Sequence, residues 1–470
     1  MLQQGKPGEA VAMLSEAAEL HPEASALNDL AGALIAAGFH AEAEQRLRQA
    51  IEREPGFELA SLNLGTLLLA GGRPAEALAP LRRVRALEPG RQALADAFLQ
   101  LGNAAIAGYH ATDAEWYYRQ AIAERPDFTA AYGNLGNALV LQTRVAEALA
   151  AYRSGLALAP DHANIGFAYS LALLLAGNAR DGWRYYENRR AVDPMRWNYD
   201  RRPALPQWHP GTDLAGKRVL LMAEQGTGDI IQYVRYAPVL AARGARVVLE
   251  LPATLHRLFD QMPGVERVIS LEDPDPACDI ACPLLSLPLI CDGMIPADIP
   301  YARVPEDCVA RWGAWLGPPD GRRRIGLVCS GDSRHPHDRL RSIALARFAP
   351  LLRLRDCRFV LLQTELREAD AAARASLPGL RFPGVALGDF ADTAGLIANL
   401  DLVVSVDTSV AHLAGALGAP TRLLLPFSPD YRWQLGRSDS PWYPSLQLYR
   451  QPAAGDWDQV IEAVRQDLAS

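Results

Sequence analysis

The chain has 470 residues, 49% of them hydrophobic and 21% charged, with a formal net charge of −7. That length exceeds what one hydrophobic core serves, so two or three domains are expected. The mild acidity speaks against a nucleic-acid binder, which shows a basic face or domain, and no run of about twenty apolar residues offers a membrane span.

The first segment, "MLQQGKPGEAVAML", lacks a basic stretch followed by an apolar core, so no signal peptide is expected. From there to about residue 190 the text repeats. Pro22, Pro55, Pro89, Pro126, Pro160 and Pro194 stand 33, 34, 37, 34 and 34 residues apart. Similar helical text precedes them, as in "AEAEQRLRQAIEREP" and "AEALAAYRSGLALAP", and a second helical pattern follows, as in "AAYGNLGNALVLQTR". Small residues (Gly65, Gly136, Ala43, Ala77, Ala114, Ala148) recur where paired helices must approach closely. Paired amphipathic helices with a period of about 34 residues, closed by proline, resemble the tetratricopeptide (TPR) repeat. No such pair buries its apolar face alone, so stacked pairs form one core and a concave face that holds a peptide or partner protein. The three extra residues between Pro89 and Pro126 are expected as a loop insertion around "EPGRQ". Asn63 and Asn134 sit at matching positions on the first helices of their repeats, and read either as groove amides for a peptide backbone or as a solvated helix face. The array starts inside a repeat, so continuation into a partner or self-association is expected.

Residues 191–216 form a connector rich in Trp, Tyr, Arg and Pro, read as an ordered adhesive because aromatics favour burial. The alternative is that Trp197, Trp208 and the arginines line the next domain's cleft. Beyond Lys217, short β-rich runs alternate with helical stretches, the pattern of parallel sheets with crossover helices. "RVLLM", "RVVLEL", "RVISL" and "ACDIACPL" fall in a first lobe, 217–316; "RIGLVCSG", "RFVLLQ", "LDLVVSV" and "TRLLLPF" fall in a second, 322–470, with a hinge near 316–322. Ligands of such sheets bind at the carboxyl ends of strands, and in two-lobed proteins between the lobes. Six cysteines (Cys278, Cys282, Cys291, Cys308, Cys329, Cys357) include no CxxC pair and read as reduced thiols of a cytoplasmic protein.

Each lobe carries a sharp motif after a strand. In "AEQGTGDIIQ" the glycines Gly226 and Gly228 flank Thr227 at a strand-to-helix turn, and Asp229 follows. In "SVDTSVAHLAGALG" the residues Asp407, Thr408 and Ser409 open a helix and His412 lies one turn on. A helix start with free amides and hydroxyls seats phosphate, although Asp, Thr and Ser also serve as plain caps. The DxD spacing of Asp273 and Asp275 in "EDPDP" reads as a proline-bounded loop, and His335 with His337 brings too few ligands for zinc.

The combination "AEQGTGDIIQ", "GDSRHPHDRLRS", "SVDTSVAHLAGALG" and "LLPFSPDYRW" behind a TPR array resembles bacterial TPR-containing glycosyltransferases of the heptosyltransferase type, flagellin O-glycosyltransferases among them. It departs from their usual text at Thr227 (Leu there), at Asp332–Ser333 (Asn-Pro) and at His337 (Asn). The resemblance implies a TPR α-solenoid followed by a GT-B fold of two Rossmann-like α/β lobes. It also implies an inverting, metal-independent sugar transfer, in the cytoplasm, to Ser or Thr of a protein recruited by the solenoid. Asp229 is then the candidate base, with the helix-cap role as its competitor. Gly226, Thr227 and Gly228 would let the acceptor approach the backbone, and Gln225 and Gln232 would orient a sugar hydroxyl or carboxylate. Ser330, Arg339, Arg341, Ser342, Gln363, Phe390, Asp407, Thr408, Ser409 and His412 would bind the donor. No cofactor is expected beyond the nucleotide sugar; a CMP-linked nonulosonic acid is favoured, with UDP-, GDP- and ADP-sugars open. Two alternatives stand beside this: a lipid or polysaccharide acceptor, and a TPR scaffold with a non-catalytic transferase domain.

Overall fold

The computed structural model describes residues 7–192, 201–377 and 379–470; Pro194 and Trp197 lie outside them. The chain divides into two compact units, Met1–Ala168 and Tyr169–Ser470.

The first unit is built from antiparallel helix pairs: α1 (Pro7–Leu20), α2 (Ala24–Ala36), α3 (His40–Arg53), α4 (Glu58–Ala70), α5 (Pro74–Arg83), α6 (Glu88–Ala107), α7 (Ala111–Glu124), α8 (Thr129–Leu141) and α9 (Val145–Leu158), with α10 (Ala163–Leu175) crossing the division. The repeat prolines Pro55, Pro126 and Pro160 each follow a helix C-cap, where a residue that cannot continue a helix stops it. Ala43, Ala77, Ala114 and Ala148 are fully buried. A Cβ on Gly65 would lie 2.4 Å from Leu81, and one on Gly136 would lie 2.4 Å from Tyr152, so each glycine makes room for a large side chain of the next helix.

The "EPGRQ" insertion is not a loop. It opens α6, which runs 20 residues against 13 for α4 and α8. Pro89 falls in the first turn, where its missing N–H costs nothing and its fixed φ suits a helix. The preceding helix α5 stops early, at Arg83. The extra residues therefore become helix.

The second unit begins within the repeat region. The sequence boundary at residue 190 falls later than the division at Ala168 because α10 spans it, and α11 (Ala179–Tyr186) packs with the residues that follow. Two parallel sheets form its frame. The first contains β1 (Arg218–Met222), β2 (Arg246–Glu250), β3 (Val265–Ile269) and β4 (Ile280–Pro283) in the order β3-β2-β1-β4. The second contains β5 (Arg323–Val328), β6 (Cys357–Leu361), β7 (Leu402–Val406), β8 (Thr421–Leu425) and β9 (Leu446–Arg450) in the order β6-β5-β7-β8-β9. Apolar β-branched and leucine runs buried on both faces explain the parallel pairing. The chain reverses direction across each sheet beside its first strand, between β1 and β4 and between β5 and β7. Such switch points open a crevice at the strands' carboxyl ends, and both sequence motifs sit there.

One helix differs in placement from the simple two-lobe reading. Glu306–Leu316, which the sequence assigns to the first lobe, packs on the helix Phe390–Ile397 of the second. Gly395 there leaves space for Cys308, Trp312 donates to Asp392 (3.3 Å), and Asn399 donates to the Val309 carbonyl (2.9 Å). The last helix, Trp457–Ala469, packs on the second lobe, tied by Arg422 to Asp467 (2.6 Å) and by Arg347 to Asp458 (2.9 Å). Strand β9, "LQLYR", is a further addition to the elements expected.

Candidate functional site

The turn after β1 is braced from behind. Glu224 is buried beside the wholly buried Arg189, whose guanidinium donates to both carboxylate oxygens at 3.0 and 2.8 Å and to Ser286 Oγ at 2.9 Å. Glu224 also accepts from the Leu285 amide (2.9 Å). A buried guanidinium needs such full pairing, since leaving either charge alone in the interior costs several kcal/mol. The segment directly after α11 thus clamps the GTGD turn to the end of β4. Trp183 of α11 adds edge-on contacts with Tyr233, Tyr431 and Trp442, and Trp208 is buried with its amide donating to the Ala281 carbonyl (2.8 Å). Within the connector, the ordered-adhesive reading describes Trp208 and the cleft-lining alternative does not; Trp197 lies outside the described residues.

Gln225 takes a positive φ of 60°, uncommon for a residue with a side chain, and its amide donates to the Tyr186 hydroxyl (3.3 Å). Gly226 caps the helix α12 (Thr227–Tyr233), and its amide donates to Asp229 Oδ2 (2.9 Å). Asp229 therefore is a capping carboxylate. Its other oxygen pairs with Arg432 from the second lobe. Thr227 is half-buried; Gln232 is buried and accepts from Arg432 Nε (2.7 Å), with no partner for its own Nε2.

Gly228 serves a purpose other than substrate approach. A Cβ there would lie 2.8 Å from His412 Cδ2 and 3.4 Å from Ser409 Cα. The glycine lets α12 of the first lobe press against α15 (Ser409–Ala416) of the second; between them in the chain come α13 (Glu306–Leu316) and α14 (Phe390–Ile397). His412 is correspondingly part of the core. It stacks on Trp433 (5.5 Å between centroids) and shares a 3.0 Å hydrogen bond with the Tyr443 hydroxyl. Burial, helped by the Arg235 and Arg341 charges, pushes its pKa down to about 3, so it is a neutral ring near pH 7.

At the start of α15, Thr408 is 8% exposed and its Oγ1 has no hydrogen-bond partner. Asp407 beside it and Asp430 after β8 lie close enough for their charges to interact. Burial raises the pKa of Asp407, opposed by the Trp433 indole and Arg341. Burial and the Asp407 charge push Asp430 up to about 7. Arg341 reaches across to donate to the Asp407 carbonyl (2.9 Å), and Gly331 leaves room for its guanidinium.

The remaining residues expected at the donor site divide. Gln363 braces the end of β5: its oxygen accepts from the Cys329 amide (3.0 Å) and its amide donates to Ser330 Oγ (2.8 Å). Ser342 donates to the buried Asp338 (2.8 Å) and accepts from the Gly331 amide (3.1 Å), which shapes the loop that carries Arg341. Arg339 is exposed, and Phe390 is half-buried in the first turn of α14. Asn63 and Asn134 of the solenoid donate to Asn28 (2.8 Å) and Asn103 (2.9 Å), so amides on successive first helices pair with one another. Asp273 accepts from the Ser270 amide (2.8 Å) and Asp275 pairs with Arg202 (3.0 Å), the loop roles expected of "EDPDP". Among the described residues no cluster of three metal-ligating side chains forms, and no helix is long and apolar enough to cross a membrane. Sequence reasoning gave no role to Arg432, Asp430, Arg189 or Glu224. The first two lie in "SPDYRW", which the family-like text included.

The comparisons bear on both units. Residues 34–101, 2–45 and 93–163 match tetratricopeptide repeat profiles, and residues 347–430 match glycosyltransferase family 9 (heptosyltransferase). The chain thus follows a region similar to TPR repeats with one similar to glycosyltransferase family 9. It is 28% identical over 338 residues to protein FlbA of Caulobacter vibrioides, which covers 66% of this chain and 56% of that protein, so the chain spans about half the length of this curated relative. Among solved structures, E. coli ADP-heptose LPS heptosyltransferase II aligns at 16% identity over 54% of this chain and all of that one, with a TM-score of 0.38. YrrB, a TPR protein with an unusual peptide-binding site, aligns at 17% identity over 38% and 92%, with a TM-score of 0.30.

Proposed function

We propose that this chain is a protein O-glycosyltransferase that transfers a sugar from a nucleotide donor to Ser or Thr of a protein held by its solenoid, with flagellin as the acceptor. The observation that carries the reading is the Gly228–His412 packing, which sets Asp229 beside the amino end of α15. A carboxylate and a phosphate seat are the two groups that inverting transfer needs next to each other, one to take the acceptor proton and one to receive the leaving phosphate. Thr408, with its unpartnered buried hydroxyl, and Ser409 form the seat; Arg341 supplies nearby positive charge. The paired amides Asn28–Asn63 and Asn103–Asn134 support a protein acceptor, since one amide–amide bond leaves further donor and acceptor sites for a peptide backbone. The favoured donor is a CMP-linked nonulosonic acid, and the reaction is inverting and needs no metal.

The test is a thermal-shift panel of CMP, UDP, GDP and ADP on the full chain and on Thr408→Ala. A ligand bound to the folded state raises the melting temperature. A rise with one nucleotide, reduced in Thr408→Ala, is the expected result. No rise with any of the four favours the scaffold alternative.

A further inference from the structure

Arg432 lies where the lobes meet, and its guanidinium is divided between them. Toward the first lobe, Nη2 pairs with Asp229 and Nε donates to Gln232 Oε1 (2.7 Å); toward its own lobe, Nη1 donates to Asp430 Oδ1 (2.7 Å). Its side chain is only 10% exposed. The close contact of Gly228 with Ser409 and His412 holds this cluster against the amino end of α15, where Thr408 Oγ1 stands without a partner. Three carboxylates, Asp229, Asp407 and Asp430, share this space with two guanidiniums, those of Arg432 and Arg341. A phosphate that enters such a place needs a cation, and a guanidinium's planar fork suits phosphate oxygens as well as carboxylate oxygens.

We propose that Arg432 is a shared cation: it pairs with Asp229 while the donor seat is empty and moves onto the phosphate of a nucleotide when the seat fills. Donor binding and the Asp229–Arg432 pair then exclude one another. The consequence is ordered chemistry. Asp229 is neutralised until the donor arrives, and a carboxylate released from a guanidinium is a better proton acceptor. Asp430 tolerates the exchange because, near neutrality, it can hold a proton in place of a cation. The inference rests on reading Thr408 and Ser409 as the phosphate seat.

Calorimetric titration of the full chain with CMP, UDP, GDP and ADP tests it, with inorganic pyrophosphate as a base-free probe. The variants are Asp229→Asn, Arg432→Gln, the double variant, and Arg432→Lys, which keeps the charge should Arg432→Gln fail to fold. Asp229→Asn removes the competitor and is expected to tighten nucleotide binding roughly five- to tenfold, within the usual range of site-to-site coupling. Arg432→Gln weakens binding at least as much, and in the double variant the gain from Asp229→Asn disappears. Wild-type-like or weaker binding by Asp229→Asn, while the wild type binds, overturns the shared-cation inference alone. A wild type that binds none of the probes overturns the donor-seat reading itself.

Discussion

In the solenoid, Arg73 reaches Glu76 and Glu44, and Arg144 reaches Glu147 and Glu115, with arginine side chains 41% and 38% exposed. In the second unit, Arg189 is fully buried between Glu224, Glu187 and Ser286, and Arg432 spans both lobes at 10% exposure. The first set joins residues 3 or 29 apart through arginines that reach water. The second set is buried, and its longest ion pairs, Arg189 to Glu224 and Arg432 to Asp229, join residues 35 and 203 positions apart with no solvent to fall back on. The same chemical pair is decoration in one region and a positioning device in the other.

That contrast can be broken experimentally, and Arg189→Ala is the strongest blow. It removes the guanidinium that balances the buried Glu224 charge and should destabilise the second unit by about 3–5 kcal/mol, read by urea denaturation of the full chain. An unchanged midpoint would mean that the GTGD turn does not depend on Arg189. Gly228→Ala comes next. Its Cβ meets the His412 ring and the α15 backbone, so overpacking of about 1–3 kcal/mol is expected in the second unit, with loss of nucleotide binding. Gly65→Ala, crowding Leu81, should instead destabilise the solenoid and leave nucleotide binding intact.

A smaller effect separates the carboxylates. Because the folded-state pKa of Asp430 is raised to about 7, the folded protein binds a proton there more tightly than the unfolded chain does. Its contribution is favourable at low pH and is lost as pH rises through 7. Asp430→Asn should therefore gain stability relative to wild type at pH 8, with the advantage shrinking steadily below pH 7 and gone only near the unfolded carboxyl's pKa, about 4, in melting curves across that range. The smallest effect is expected of Arg144→Ala: its Glu147 pair is exposed and Glu115 keeps Arg119 and Gln142, so the melting temperature should stay within experimental error.

The same contrast explains what was legible in the sequence. Proline spacing, small residues between helices and alternating β-rich runs are local or periodic, so the solenoid and both parallel sheets could be read without coordinates. The Asp229 and Thr408 motifs were visible because each is contiguous. The roles of Gly228 and His412 were not, because each answers the other across 184 positions and only the folded lobes bring them together. Arg432 was hidden for the same reason: an arginine between a tyrosine and a tryptophan carries no sign of a partner on another lobe. Strand β9 escaped because the five residues of "LQLYR" alternate like many loop segments, and pairing with β8 makes them a strand. Pro89 misled because a proline-glycine pair reads as a turn when it also fits the first turn of a helix.

The most direct test of the account is the intact mass of flagellin purified from cells of the source organism that carry either the wild-type chain or Asp229→Asn at normal abundance. The account predicts wild-type flagellin heavier by whole multiples of one sugar residue, with the increment lost in Asp229→Asn. Equal masses from the two strains would contradict it.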